Sequence, residues 1–307
     1  MRNSRRGPQG ILVVDKEVGI TSHDVVQRVR RIFRMRQVGH SGTLDPIASG
    51  VLVVLVGSAT RVAQYLQEND KEYHLTLLLG IETDTQDVTG RTVSRIDPSH
   101  VTREALEAAV NRYRGGFLQT PPSYSAIKHN GQPLYKLARR GVAVTVDPRK
   151  VTVYQVKISG WEPPRASLEV VCSKGTYMRT LCHDIGKDLG VGGCMESLVR
   201  VRSGNFTLED AVKLDSLPGD AAALRPLLQS PASGLPFARY ELEDDMLAQI
   251  LMGRTVLWPG REKDGMISVV SGRRLVALGE ITRKNEKTVL IPKRILEPIE
   301  KTSQIKR

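Results

Sequence analysis

A carboxylate and an imidazole share one glycine-rich stretch, Gly39-His40-Ser41-Gly42-Thr43-Leu44-Asp45-Pro46-Ile47-Ala48-Ser49-Gly50. Its glycines allow positive φ and close approach to a ligand. Pro46 fixes its own φ and moves Asp45 away from helical geometry. The apolar run at 51–56 predicts a buried strand that anchors a stiff loop presenting Asp45 and His40. Because many ordinary turns contain Asp-Pro, the loop alone leaves a purely structural role open.

Further residues suited to chemistry stand later in the chain. Tyr73 precedes an apolar strand in Lys71-Glu72-Tyr73, where its ring could stack and its hydroxyl could bond or move a proton. Arg179 ends Ser173-Lys174-Gly175-Thr176-Tyr177-Met178-Arg179 and falls in the first turn of a predicted helix. The helix dipole slightly disfavours a cation there, and pairing with a carboxylate would offset that effect. Read alone, Tyr73 is an ordinary strand aromatic and Leu198 is a core residue.

Together these segments resemble the TruB-type bacterial tRNA pseudouridine-55 synthases, in the family's order and spacing from residue 9 to about residue 210. The resemblance makes Asp45 the indispensable catalytic residue and pairs it with Arg179 in a contact that a guanidinium can make bidentate. It places Tyr73 against the target uracil. It assigns substrate binding to His40, Tyr73, Tyr177 and Leu198. One departure is Glu17, which stands where the family has proline after Asp15-Lys16.

The resemblance implies an isomerase that converts the T-loop uridine at tRNA position 55 to pseudouridine after flipping it from the RNA. Uracil is detached, turned and rejoined through carbon, so no metal, nucleotide or redox carrier is required. The absence of a P-loop and of a G-x-G-x-x-G motif agrees with this. Asx-type turns explain Thr83-Asp84-Thr85 and Asp87 better than a metal site does. Three roles for Asp45 stay open: attack on the sugar, attack on the ring, and proton abstraction.

Charge points to the same class of partner. The chain has 45 Lys and Arg against 33 Asp and Glu, a formal charge of +12, which favours a polyanion such as RNA over lipid headgroups or mere solubility. No apolar run has the length of a membrane span and no signal peptide is convincing. The three cysteines contain no C-x-x-C, which indicates a reducing cytoplasm. We therefore expect a cytoplasmic protein with no membrane partner.

The predicted elements give an α+β fold. Its catalytic domain, at 9–235, has a central, largely antiparallel sheet flanked by helices. A basic, irregular segment at about 121–150 resembles the RNA-clasping thumb of the family and is called the thumb below. Short strands at 238–297 predict a small β-rich PUA-like domain, after a Pro- and Gly-rich stretch at 216–237 that favours a linker. A loose tail is expected at 298–307. The RNA-binding candidates are Arg30 and Arg34, on a helix capped by Thr21–Asp24, and Lys128, Arg139 and Arg140 in the thumb.

Three other functions remain open at this point. A non-catalytic RNA-binding protein would explain Gly39-His40-Ser41-Gly42 as the G-x-x-G loop of a KH domain, although the flanking helix pair and an internal basic residue are missing. An RNA chaperone could use the same fold to remodel tRNA. A guide-RNA-dependent relative would need partner proteins. The presence of the thumb favours a stand-alone monomer that acts on the tRNA T arm without guide RNA or protein partner.

Overall fold

The computed structural model describes residues 7–142, 144–260 and 264–297, so the predicted tail at 298–307 lies outside the described residues. The helices are α1 (Ser22–Phe33), α2 (Ala63–Gln67), α3 (Arg103–Asn111), α4 (Leu134–Ala138), α5 (Met178–Asp188), α6 (Ala221–Leu224) and α7 (Asp244–Leu251). Within those ranges, no helix combines the length and the apolar character that crossing a membrane requires.

Nineteen strands accompany these helices in the described ranges. The strands of the first part of the chain are β1 (Gly10–Lys16), β2 (Val38–His40), β3 (Ala48–Val56), β4 (Lys71–Leu79), β5 (Ile81–Thr83), β6 (Thr92–Arg95), β7 (Gly115–Gln119), β8 (Lys128–His129), β9 (Gln132–Pro133), β10 (Arg149–Glu162), β11 (Arg165–Cys172), β12 (Gly193–Ser203), β13 (Phe206–Thr207) and β14 (Val212–Lys213). The remainder are β15 (Ala238–Glu241), β16 (Val256–Leu257), β17 (Gly265–Ser271), β18 (Arg274–Lys284) and β19 (Lys287–Ile295).

A ten-stranded sheet forms the centre of the molecule, in the order β14-β1-β3-β12-β4-β11-β10-β7, with β2 beside β3 and β13 beside β12. Among the described strands of this sheet, only β1–β14 and β3–β12 pair in parallel, so the predicted largely antiparallel sheet is confirmed. Strand β12 lies between β3 and β4, which places residues from distant parts of the sequence side by side. The candidate site lies at this junction.

Strands β1 and β3 each contain a continuous apolar run, at 11–14 and 51–56, because both faces of the sheet are covered there. Leu12 and Leu52 belong to a core shared with α1, α3 and α5. Val13 and Val53, on the opposite face, belong to a second core that also contains Leu278 of β18. The continuous apolar run at 51–56 is therefore a strand buried between helices and the C-terminal β-rich region, as the pattern predicted.

Helix α1 begins as its sequence predicts. Thr21 Oγ accepts a hydrogen bond from the Asp24 N–H at 3.1 Å, and Asp24 Oδ2 accepts one from the Thr21 N–H at 2.8 Å. This reciprocal capping box satisfies two N–H groups that the helix leaves unpaired. Val25, Val26 and Val29 are buried against the sheet. The helix start is thereby fixed beside the Asp45 loop.

The C-terminal strands form a separate five-stranded sheet in the order β15-β17-β18-β19-β16, which confirms the predicted β-rich region. The expectation of a linker at 216–237 is wrong. Gln229 exchanges two backbone hydrogen bonds of 2.8 Å with Ile11, and Leu224 and Leu235 are buried. The segment packs along the sheet because its scattered apolar residues have a surface to cover, a contact that composition alone does not reveal.

Candidate active site

The loop that carries Asp45 is tied down on two sides. Ser22 Oγ accepts a hydrogen bond from the Leu44 N–H at 2.9 Å and donates one to the Leu44 carbonyl at 3.1 Å. The Gly19 N–H donates to the Pro46 carbonyl at 2.7 Å. The start of α1 and the turn after β1 thus hold the residues on either side of Asp45. The predicted stiff loop is present, and its stiffness comes from these contacts as well as from Pro46.

The turn after β1 keeps its structural role despite the departure at Glu17. The Lys16 ammonium is fully buried and donates to the carbonyls of Glu17 at 2.8 Å and Ile20 at 2.9 Å. Gly19 has φ +92°, which glycine adopts without strain. Burial lowers the pKa of Lys16 to about 8, and the nearby Asp45 carboxylate partly opposes that shift.

Arg179 and Asp45 form the ion pair that the resemblance implied. Arg179 Nε donates to Asp45 Oδ2 at 2.9 Å, across elements that are far apart in sequence. The Arg179 side chain is 5% exposed and that of Asp45 is 38% exposed. The carboxylate is therefore held from the protein side while it remains accessible from solvent. Asp45 Oδ1 has no hydrogen-bond partner within the described part of the chain.

The pair is held by one N–H rather than by the bidentate contact that a guanidinium can make. The other two guanidinium nitrogens donate to the carbonyls of Thr85 at 2.9 Å and Tyr124 at 2.7 Å. Asp87 Oδ2 lies 3.8 Å from Arg179 Nε. Arg179 therefore joins the Asp45 loop, the loop after β5 and the beginning of the thumb. Its orientation is fixed by backbone groups as well as by the carboxylate.

A glutamine fixes the start of helix α5, and this contact was not foreseen from the sequence. Gln119 accepts a hydrogen bond from the Tyr177 N–H at 2.8 Å and donates one to the Tyr177 carbonyl at 3.1 Å. Tyr177 is the residue before α5, so Arg179 occupies the first turn as predicted. Burial raises the pKa of the Tyr177 hydroxyl. Tyr177 is half-buried beside the thumb.

Tyr73 and Leu198 lie on adjacent strands of the sheet, β4 and β12. Tyr73 pairs directly with Arg200, and Leu198 pairs with Leu75. Because paired residues project to the same side of a sheet and alternate residues share a side, these four side chains share one face. Tyr73 and Leu198 are both buried. Burial raises the pKa of the Tyr73 hydroxyl, and the positive charge of Arg200 partly opposes that shift.

His40 ends strand β2, opposite Val54 of β3. It is half-buried, and no described group forms a hydrogen bond with its Nδ1. Burial is the main cause that lowers the pKa of His40, and the charge of Arg200 adds to it. The imidazole is thereby favoured in its neutral form at the edge of the Asp45 loop.

The Thr83–Asp87 loop is built from local turns. Asp87 Oδ1 accepts hydrogen bonds from Thr85 Oγ at 2.9 Å, the Thr89 N–H at 3.0 Å and Thr89 Oγ at 2.5 Å. Its carboxylate is thus occupied by hydroxyl and N–H donors, as in an Asx-type turn. No group of His, Cys, Asp and Glu among the described residues is arranged to hold a metal ion.

The predicted RNA-binding residues occupy two kinds of position. Arg34, Lys128, Arg139 and Arg140 are exposed, and Arg139 also lies over the Tyr135 ring at 5.7 Å. Arg30 is half-buried and donates to the Val38 carbonyl at 2.8 Å, so it also links α1 to β2. An RNA contact by each of the five stays a prediction.

The sequence reasoning did not single out Arg200. The residue is 1% exposed, and its guanidinium donates to the carbonyls of Val51 at 2.7 Å, Gly42 at 3.2 Å and Thr43 at 3.4 Å. The only signal was its place two residues after Leu198, in a run where alternate positions are basic. A charged residue at a strand position that faces the core is the feature that could have found it.

Comparisons with known proteins agree with this geometry. The profile of the TruB family pseudouridylate synthase N-terminal domain matches residues 30–178, and that of the tRNA pseudouridylate synthase B C-terminal domain matches residues 179–233. A tRNA pseudouridine synthase B of Syntrophotalea carbinolica is 48% identical over 74% of this chain and 74% of its own length.

A second relative and a solved structure cover nearly the whole chain. The tRNA pseudouridine synthase B of Stutzerimonas stutzeri is 40% identical over 96% of this chain and 98% of its own length. A chain in the crystal structure of a Cbf5-Nop10-Gar1 complex superposes with a TM-score of 0.71 at 26% identity, covering 94% of this chain and 85% of that one. The likeness therefore includes the C-terminal region.

Proposed function

The chain belongs to the TruB family of pseudouridylate synthases, and we propose that it converts a tRNA uridine to pseudouridine, with the T-loop uridine at position 55 as its target. The observation that supports this best is the 2.9 Å ion pair between Arg179 and the partly exposed Asp45. An acidic group that is anchored on one side and open on the other can act on a base presented from solvent.

In the proposed reaction the uridine leaves its stack and enters beside Asp45. The bond between C1′ and N1 breaks and a bond between C1′ and C5 forms, while the hydrogen on C5 is lost and N1 gains one. Atoms and electrons balance without a cofactor. Arg179 holds Asp45 Oδ2, so Oδ1 is the oxygen available to the substrate. Attack on the sugar, attack on the ring and abstraction of a sugar proton all use this oxygen.

The neighbouring side chains then have distinct roles. Tyr73 and Leu198, on one face of the sheet, would contact the uracil from the protein side. The hydroxyl of Tyr73 could move a proton during the reaction. Tyr177 would bound the pocket on the side of the thumb. His40 would help to fill the space left in the RNA by the flipped base.

The RNA would be held by charge outside this pocket. The exposed cations of α1 and of the thumb would contact phosphates of the T arm, and the PUA-like region at 238–297 would add further contacts. The division into a catalytic domain at 9–235 and this region stays part of the proposal. We also propose a stand-alone, cytoplasmic monomer, and the basic thumb at about 121–150 supports the stand-alone part of this proposal.

The test uses the full chain and an unmodified tRNA transcript carrying tritium at C5 of uracil. Isomerisation at carbon releases tritium, so one equivalent should appear in water, and mapping should place pseudouridine at position 55. A transcript with cytidine at that position is the control. Binding without tritium release would instead identify an RNA-binding protein or chaperone. Release only after guide RNA and partner proteins are added would contradict the stand-alone proposal.

A further inference from the structure

Arg200 is a buried cation that the proposed reaction does not use. It is 1% exposed, and no carboxylate among the described residues forms an ion pair with it. It donates hydrogen bonds to three backbone carbonyls. Removing a guanidinium from water without a neutralising anion is unfavourable, so the burial of Arg200 requires a structural or functional explanation.

The three carbonyls lie on both sides of Asp45 in the sequence. Gly42 and Thr43 precede the carboxylate, while Val51 lies in β3 beyond it. Arg200 therefore bridges the two arms of the Asp45 loop at its base. A planar guanidinium with several fixed donors is suited to this, and the single ammonium of lysine is not.

The strand that carries Arg200 is itself closely fitted. Arg200 pairs with Gly50 of β3 on one side and with Tyr73 of β4 on the other. A Cβ placed on Gly50, which has φ +97°, would lie 2.3 Å from the Arg200 carbonyl oxygen. The backbone of β12 thus approaches β3 at the point where the Asp45 loop rejoins the sheet. Any change in the Arg200 contacts would be transmitted directly to that loop.

We propose that Arg200 is a positioning residue for this reaction, which clamps the base of the Asp45 loop and places an unneutralised positive charge beside the base site formed by Tyr73 and Leu198. The inference rests on the proposed function. It assigns Arg200 no contact with substrate, because its side chain is enclosed.

The electrostatic part of the proposal agrees with the titration of its neighbours. The Arg200 charge is the second cause, after burial, that lowers the pKa of His40 and of Lys71. It also opposes the effect of burial on the pKa of the Tyr73 hydroxyl. A positive charge in this position favours the neutral forms of the basic groups His40 and Lys71, and it would favour negative charge that develops on a bound uracil.

The test compares Arg200→Met and Arg200→Lys with a matched control, Arg202→Met. Arg202 lies on the same strand but pairs with Glu72 at 3.0 Å and is partly exposed. Single-turnover rates on saturating tRNA should fall by about a hundredfold in Arg200→Met, the scale expected when a reacting group is misplaced. The dissociation constant for tRNA should stay within about twofold, and the control should keep its rate.

Arg200→Lys retains the charge and loses the fork of donors, so its rate should lie between those of the wild type and Arg200→Met. If Arg200→Met does not fold, as judged by circular dichroism, the lysine variant tests the clamp alone. A lysine variant with the full wild-type rate would overturn the clamp. A folded Arg200→Met with the rate of the Arg202→Met control would overturn the whole inference.

A second measurement separates positioning from simple stability. The His40 ring is titrated by NMR in the wild type, Arg200→Met and Arg202→Met. The pKa of His40 should rise in Arg200→Met because one cause of its depression is gone, and it should not move in the control. An unchanged pKa in a folded variant would overturn the electrostatic part. Failure of the wild type to release tritium would instead refute the proposed function.

Discussion

The centre of the large sheet and the thumb both carry arginines, under opposite conditions. Arg179 and Arg200 are buried at the centre and donate to backbone carbonyls. Arg139 and Arg140 of the thumb are exposed, next to a hairpin whose strands have two residues each. The centre therefore fixes the direction of each cation, whereas the thumb only supplies charge. Chemistry needs the first property, and the capture of a polyanion needs the second.

The largest expected effect concerns Asp45, because the centre of the sheet can be the site of the chemistry only if this carboxylate is required. Replacement of Asp45 by asparagine keeps the shape of the side chain and removes its charge and basicity, so single-turnover rates should fall by at least about 10³-fold. Binding of tRNA, measured by filter retention, should be retained because the phosphate contacts lie elsewhere. Turnover close to the wild-type rate would show that the anchored acid is not the acting group.

Matched glycines in the two regions test how closely each is packed. Gly50→Ala meets the Arg200 carbonyl at 2.3 Å with φ +97°, whereas Gly131→Ala in the thumb hairpin has φ +81° and no atom within 4 Å. The free energy of unfolding in urea should fall by about 3 kcal/mol for the first and about 1 kcal/mol for the second. Equal losses would mean that the centre can relax as freely as the thumb.

A buried lysine of the centre and an exposed lysine of the thumb should differ in how they affect the pH dependence of the free energy of unfolding. Burial lowers the pKa of Lys16 from 10.5 to about 8, so between these values the unfolded chain binds the extra proton. Stability from this group therefore rises with pH across that window, by about 1 to 3 kcal/mol. The measurement is the difference in unfolding free energy between the wild type and Lys16→Met at pH 7.5 and 10.

The exposed thumb residue Lys136 provides the control for that measurement. The difference between the wild type and Lys136→Met should stay constant over the same pH range. If the Lys16 difference is equally flat, the ammonium is not desolvated in the folded chain. A fall with rising pH would reverse the sign and contradict the assignment.

The smallest expected effect comes from the thumb. The triple variant Lys128→Gln, Arg139→Gln and Arg140→Gln should raise KM by about tenfold at unchanged kcat, and reduce the slope of log affinity against log salt by about 2 to 3. The control is Arg103→Gln, whose guanidinium pairs with Glu107 at 2.9 Å on α3. A loss in kcat without a change in salt dependence would give the thumb a share of the chemistry.

Local sequence determined much of this fold. The apolar runs in β1 and β3 predicted strands because both faces of these strands are buried. The pattern in β4 also predicted a strand, because buried and more exposed residues alternate in its first part. The Thr21–Asp24 pattern predicted the start of α1 because its capping contacts are local. The pairing of Asp45 with Arg179 came from the resemblance rather than from spacing, since the two residues meet only in the folded chain.

The missed features depend on long-range packing. Arg200 resembles a surface cation in sequence, and its burial follows from the position of β12 between β3 and β4. The Gln119 contact with Tyr177 joins β7 to the start of α5 and leaves no local pattern. Residues 216–237 have the composition of a linker but cover an apolar surface. Each case needs knowledge of which distant strand or loop lies opposite.

The insertion of β12 between β3 and β4 also sets an order of events during synthesis. The ribosome completes β3 and β4 long before residues 193–203 emerge. Until then the position of β12 between these two strands either stays empty or is filled by a non-native strand pairing. Closing such a distant contact is slow, and it exposes strand edges in the meantime. A nascent chain therefore acquires its reactive centre only when the last central strand has docked, which delays any contact with substrate until translation is well advanced.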